Sequence, residues 1–313
     1  MAAPSRRLVA LCASHIDSEL RLLLFRDMVA SARAQTLPVP LYVSLSVARG
    51  DPELELSVSV ALAALGVGWR DTDGLSGDSR VTVFRQPEPM AQFEHYRALC
   101  EELRWEHQGR ADVWCMFCDD DDFMHPGRSA AYRAVLDGFR ADDAAECFLR
   151  GTSLLLEGET PDDVRDGRTV AYCDARLAAH TELTCEINSA EYYMYCARLG
   201  LLERFCAHML AWDRLRSPMC DVVLSSVLSH KTPAPDFSGG WLYAGGSALG
   251  SARASSRHTY LTYRATFSGW FFERLSVAFG FAWHDDKLGY NALYAADEEV
   301  IAMLESKCAS QKR

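Results

Sequence analysis

Short, uninterrupted apolar runs alternate with stripes of helical period along the first part of the chain. Residues 8–12 (Leu-Val-Ala-Leu-Cys) form one such run, the pattern of a strand buried on both faces. Asp17 or Ser18 then offers a cap, with Glu19 in the first turn, and Leu24, Phe25, Met28, Val29 and Ala32 fall on one face of the helix that follows. Residues 41–47 read as a second strand. Asp51-Pro52-Glu53 opens a helix with proline at its first position, and Gly66 closes it. A polar loop over 66–79, an alternating strand over 80–84 and a helix over 90–106 come next. Val113-Trp114-Cys115-Met116-Phe117-Cys118 is a fourth buried strand. Strands alternating with helices predict a mostly parallel sheet with right-handed crossovers.

That fourth strand runs straight into Asp119-Asp120-Asp121-Asp122. Like charges this close resist joint ionisation unless a cation neutralises them. In an extended segment residues two apart face the same way, so Asp119 and Asp121 are expected to converge on one ion. Carboxylate oxygens select Mg²⁺ or Mn²⁺ over softer metals. The run lacks the glycine and distal glutamate of a calcium hand. Carboxyl ends of strands are also where α/β proteins place ligands.

The second half loses the simple rhythm. A helix is predicted over 127–140, strands over 147–150, 153–156, 169–173 and 192–196, and helices over 199–210 and 221–230. Residues 232–240, with Pro233, Pro235 and a Gly-Gly pair, form the best linker. An aromatic-rich stretch (Tyr260, Tyr263, Phe267, Trp270, Phe271, Phe272) and a helix near 298–306 follow.

With 313 residues, 49% of them hydrophobic and 24% charged, the composition is that of a globular enzyme with a substantial core. A formal charge of −11 argues against a nucleic-acid or anionic-membrane partner. No apolar stretch is long enough to span a membrane and the first residues lack a cleavable leader pattern, so a cytoplasmic protein is expected. The 11 cysteines are scattered through predicted elements and read as buried thiols. Cys115-x-x-Cys118 has a zinc-like spacing, but on a strand its two thiols face opposite sides.

These residues resemble the nucleotide-sugar glycosyltransferases of the GT-A fold, especially the inverting family 2 type. Asp119-Asp120-Asp121-Asp122-Phe123-Met124-His125-Pro126 is similar to that family's Asp-x-Asp-Asp-x-x-x-Pro motif. Leu11-Cys12-Ala13-Ser14-His15 sits where the family's first strand opens into its nucleotide loop, and Tyr192 to Arg198 followed by Cys220-Asp221 resembles the acceptor-side strand and base-bearing helix. Within the family, the chain looks most like the capsid-decorating enzymes of large DNA viruses of algae. The resemblance implies an α/β fold: a GT-A, Rossmann-like, mostly parallel sheet flanked by helices over 6–230, with a helical, aromatic-rich extension over 241–313 packed on or completing the domain.

It also implies an activity: transfer of a hexosyl or deoxyhexosyl group from a UDP-sugar to a hydroxyl of a glycan or glycoprotein, with inversion and with Mn²⁺ or Mg²⁺ as cofactor. Asp119 and Asp121 would hold the metal, with Asp119 or Asp120 also reaching the ribose. Ala13, Ser14, His15, Arg85, Gln92 and His95 would line the donor nucleotide. Asp221 would be the general base, with Glu191 second in line; the other reading of Asp221 is a helix cap. His125 reads as a turn residue; some GT-A enzymes use a late histidine for the metal or diphosphate, and no local pattern around His258 supports that role for it. The chain departs from the family at the second strand, where Ser44 and Ser46 replace an aspartate that holds the base, and at the Glu-Asp pair, reduced to Cys220-Asp221. Two rival classes share the fold: a Mg²⁺-dependent nucleotidyltransferase, which should carry a Gly-rich basic loop after the first strand, and a catalytically silent sugar-nucleotide-binding module.

Overall fold

The structure is a computed structural model that describes residues 6–67, 80–107, 112–124, 126–139, 144–149, 153–155, 192–217, 220–231, 242–244 and 278–279. Its centre is a six-stranded sheet built from β1 (Arg6–Ile16), β2 (Leu41–Val47), β3 (Val81–Arg85), β4 (Asp112–Cys118), β6 (Cys147–Leu149) and β8 (Tyr195–Arg198), in the order β3-β2-β1-β4-β8-β6. The first four strands are mutually parallel, with Cys12 opposite both Val43 and Cys118. β8 runs antiparallel to β4, and β6, antiparallel to β8, forms the far edge. This is the Rossmann-like, mostly parallel architecture expected from the sequence.

The continuous apolar runs are explained by cover on both faces. On one face α1 (Glu19–Arg33), α2 (Pro52–Ala64) and α4 (Arg128–Gly138) pack against Leu8, Ala10, Cys12, Val43, Trp114, Met116 and Cys118. On the other, α3 (Gln92–His107), α5 (Leu199–Ala211) and α6 (Cys220–Lys231) bury Val9, Leu11, Tyr42, Val113, Cys115 and Phe117. Cys115 and Cys118 therefore lie on opposite faces and share no ligand position. The described cysteines, Cys12, Cys100, Cys115, Cys118, Cys147, Cys196, Cys206 and Cys220, are all buried and free.

Local chemistry sets the boundaries. Ser18 Oγ accepts from Arg21 N (3.3 Å) and Asp51 Oδ1 from Leu54 N (2.9 Å), capping α1 and α2; each such cap contributes about 1 kcal/mol. α2 ends on a left-handed Gly66 (φ 65°), where Val67 N bonds Leu62 O (2.8 Å) and Gly66 N bonds Ala63 O (2.9 Å), satisfying carbonyls the helix leaves open.

Two differences from the expectation matter. β1 runs to Ile16 rather than stopping near Cys12, so Ala13, Ser14 and His15 are strand residues with the strict face alternation of a strand. And β5 (Asp122–Met124) forms within the acidic motif. It joins β9 (Leu242–Ala244) and β7 (Ser153–Leu155) in a small sheet of order β5-β9-β7, Asp122 opposite Ala244. Residues 242–244, expected in a helical extension, are thus a strand against the acidic motif. Phe279 packs on Phe205 and the His208 ring, so the late part of the chain also contributes to the core. The predicted strand over 169–173, the linker, the aromatic stretch, the terminal helix, His125, Glu191 and His258 lie outside the described residues.

Candidate functional site

β1 ends its pairing with β4 at Cys12–Cys118 but continues four residues, so Ala13 to Ile16 border the gap where β4 turns away. Strand alternation then divides the polar residues between the two faces of the sheet. Ser14 and Asp120 fall on the α1 face, where the Ser14 hydroxyl donates to Asp120 Oδ2 (2.7 Å). Arg21 of α1 reaches over the turn and holds Asp120 Oδ1 through Nη2 (2.7 Å) and Asp121 Oδ2 through Nη1 (2.9 Å). Asp120 is buried at 2% exposure. Burial pushes its carboxyl up to about 6, against the pull of Arg21.

Asp119 goes the other way. Its Oδ1 accepts from Gln92 Nε2 (3.1 Å) and from the Tyr192 hydroxyl, and Gln92 Nε2 also donates to Tyr192 (2.8 Å). The Tyr192 ring stands among Phe93, Tyr96 and Phe117, with centroids 5.5–6.1 Å away. Burial there, together with the Asp122 and Asp121 carboxylates, holds the Asp119 carboxyl well above the usual carboxylate range. The Tyr192 phenol is pushed up by burial and by Asp119, so it stays the proton donor.

The same-face convergence of Asp119 and Asp121 expected of an extended segment is not formed. The strand ends at Cys118, the chain turns at Asp120-Asp121, and Arg21 draws Asp121 beside Asp120. Asp119 Oδ2 and Asp121 Oδ1 nevertheless carry no protein partner among the described residues. Arg21 is bonded to Asp120 and Asp121, and buried Arg128 lies close enough to Asp122 to interact with its charge. Four carboxylates crowd the turn, and the mutual repulsion that helps to raise Asp119 is of the kind a hard divalent cation relieves. No cluster of three or more metal-ligating side chains is assembled among the described residues. Mg²⁺ needs no such cage, since it commonly uses one or two carboxylates with waters and substrate phosphates. Asp119 Oδ2 and Asp121 Oδ1 are the atoms that would take such an ion, although Gln92 with Tyr192 and Arg21 hold the two carboxylates on separate partners.

The remaining expected nucleotide residues separate. Gln92, Ser14 and Asp120 meet at the acidic turn. His15 and His95 instead join a second polar cluster on the α3 face, with His15 Nδ1 2.8 Å from Ser46 Oγ and His95 between Ser44 Oγ (2.8 Å) and Ser46 Oγ (3.0 Å). Ala13 packs in the apolar core of that face. Arg85 ends the edge strand β3, two strands from β1, and is paired with Glu55 of α2 (2.5 Å). Asp221 is the second residue of α6, in its first turn rather than at a cap. It is half-buried, and α6 packs on the 3₁₀ turn Tyr192–Met194 that carries Tyr192.

Three residues that hold the turn in place carry no role in the sequence reading: Arg21, Tyr192 (there only the start of a strand) and Arg128. Arg128 left one trace, as a cation opening α4 against the helix macrodipole. Its Nη2 donates to Phe117 O (3.1 Å) and to Tyr193 O, and its guanidinium lies 5.3 Å from the Tyr132 ring centre. It thereby ties the end of β4 to the Tyr192 turn. Arg21 and Tyr192 act across about 100 and 73 positions of sequence, with no local pattern to reveal them.

No protein-family model and no curated protein matches the chain. Among solved structures it is similar to S. aureus TarS 1-349 in complex with UDP-GlcNAc (13% identity, TM-score 0.44, 81% of this chain and 63% of that one). It is similar also to S. aureus TarS 1-349 in complex with UDP (11%, TM-score 0.43, 88% and 72%). A third likeness is to 4-diphosphocytidyl-2C-methyl-D-erythritol synthase (11%, TM-score 0.35, 82% and 98%). The chain spans 63% of the length of the first TarS structure it matches. The fold assignment stands on the strand order itself, and nothing about activity is drawn from these likenesses.

Proposed function

We propose that this protein is a glycosyltransferase that moves a sugar from a nucleotide diphosphate donor, a UDP-sugar, to an acceptor hydroxyl with inversion, using Mn²⁺ or Mg²⁺. The observation that carries this reading is the acidic turn at the carboxyl end of a central parallel strand, with four successive carboxylates bordered by the overhanging end of β1. Ligands of open α/β sheets bind at such strand ends. The metal, when bound, would offset the charge that grows on the leaving diphosphate. The chain's own residues would do the rest. Tyr192 and Gln92 fix Asp119, while Arg21 fixes Asp120 and Asp121, so the carboxylates are oriented before the donor arrives. Asp221, at the start of the helix packed on the Tyr192 turn, is the proposed base for the acceptor hydroxyl, with Glu191 as the second choice.

The test separates a transferase from a silent binding module. Asp221→Asn should keep UDP affinity and melting temperature while turnover of UDP-sugars falls by about 10²–10⁴-fold, the worth of a positioned general base. Wild-type turnover in a stable Asp221→Asn protein that still binds UDP would remove Asp221 from the reaction.

A further inference from the structure

Away from the charged turn, the α3 face of β1 and β2 carries a closed line of polar groups: Gln86, Ser44, His95, Ser46 and His15. Gln86 Nε2 donates to Ser44 Oγ (2.9 Å) and Met90 N to Ser46 Oγ (3.4 Å). Ser44 and Ser46 are fully buried and His95 is 1% exposed. Burial, with the neighbouring His15 ring, pushes the His95 imidazole down to about 4, so at neutral pH it carries a single N–H.

The hydroxyl inventory then fixes where each proton sits. A serine donates once and accepts up to twice, and a neutral imidazole donates from one nitrogen only. Suppose His95 carried its proton on Nδ1. It would donate to Ser44, which already accepts from Gln86, and the buried Ser44 hydroxyl proton would have no acceptor among the described residues, a cost a buried donor does not readily bear. With the proton on Nε2, every group is satisfied. Ser44 donates to His95 Nδ1, His95 Nε2–H donates to Ser46, and Ser46, which also accepts from Met90, sends its own proton to His15 Nδ1. His15 is left with its proton on Nε2. That atom has no protein partner among the described residues, and the ring is only part-buried at the overhanging end of β1.

We propose that the Ser44–His95–Ser46 relay sets His15 as an Nε2–H donor that receives an oxygen acceptor of the bound nucleotide, a nucleobase carbonyl or a diphosphate oxygen. The proposal rests on the nucleotide-donor reading above. His15 is the ligand-contacting group, and Ser44, His95 and Ser46 are positioning residues that act through it.

Side-chain ¹⁵N NMR of the full chain reads the relay directly. Wild-type His15 and His95 should both show the Nε2–H tautomer. Ser44→Ala, three hydrogen bonds away, should let His15 populate the Nδ1–H form, which a purely structural role for Ser44 would not cause. A wild-type His15 protonated on Nδ1 alone overturns the relay. Binding is then measured with uridine, UDP and inorganic pyrophosphate. His15→Ala should weaken UDP about tenfold, as loss of one hydrogen bond does, and His15→Gln, which keeps an N–H near the same place, should restore most of it. A matching loss for uridine assigns the contact to the base, and one for pyrophosphate assigns it to the diphosphate. Unchanged binding of all three probes to His15→Ala overturns the contact while leaving the nucleotide reading intact. A wild-type protein that binds none of them overturns both.

Discussion

The two faces of the sheet's carboxyl edge are built from adjacent residues of the same strands, Ser14 beside His15 and Asp120 beside Asp119, yet they settle their polar groups differently. On the α1 face the solution is ionic: Arg21 clamps two carboxylates and Ser14 adds one bond. On the α3 face no ion pair does this: imidazole, hydroxyl, amide and phenol groups link to one another, and the amide and phenol donate to the Asp119 carboxyl. Both faces are backed by apolar helices, so the difference comes from side-chain alternation along β1 and β4. An ion pair tolerates partial solvent, and Arg21 is 37% exposed. A buried relay demands complete pairing, and there each proton has a defined place.

The faces should therefore respond oppositely to acid. His95 sits at about 4 in the folded protein against 6.5 for a free imidazole, so the unfolded chain binds more protons between those values. Its contribution is full above pH 6.5 and is lost as pH falls towards 4, an effect of about 3 kcal/mol at 1.36 kcal/mol per pH unit. Denaturation of wild type and His95→Gln across that range should show the gap between them shrinking with acidity. A constant gap would mean that His95 is not held neutral by the fold. Asp120, raised to about 6 from 3.8, has the reverse sign: its folded state binds the extra proton, so stability falls as pH rises through that window.

A smaller effect is expected from the clamp. Arg21→Met leaves Asp120 buried without its partner, and losses of 3–5 kcal/mol are known for such changes in fully buried pairs. Partial solvent access at Arg21, and the ability of Asp120 to take up a proton, reduce this to about 2 kcal/mol at pH 7. The loss should diminish below pH 6 as Asp120 is protonated. Smallest of all, Ser14→Ala removes one neutral donor from Asp120 and should cost about 1 kcal/mol. It should leave the ¹⁵N signature of His15 untouched, because Ser14 and His15 face opposite sides of β1; a change there would break the separation of the two faces.

Much of the fold was legible in the sequence because it is written locally. Continuous apolar runs gave β1, β2 and β4, Asp51-Pro52 and Gly66 bounded α2, and the stripe from Leu24 to Ala32 gave the buried face of α1. The acidic turn was legible for the same reason. What the local pattern hid was long-range. Nothing around residue 21 announces that its guanidinium closes on Asp120, and nothing around Tyr192 shows its hydroxyl on Asp119. The serines of β2 read as a missing aspartate, whereas in the fold they are the two ends of the His95 relay. The strand β5 was hidden as well. It is three residues long and exists only because β9, more than a hundred positions later, pairs with it.

If the acidic turn holds a nucleotide diphosphate with the help of a divalent cation, as proposed, UDP affinity must depend on the metal. Calorimetric titration of UDP into the wild-type protein and Asp121→Asn, with and without Mn²⁺, measures that dependence. Mn²⁺ should tighten UDP binding to wild type by about tenfold or more. In Asp121→Asn, whose fold should persist because the lost ion pair is partly exposed and Arg21 keeps Asp120, the enhancement should vanish. UDP binding that is absent, or equally tight with and without Mn²⁺ in both proteins, would contradict the proposal.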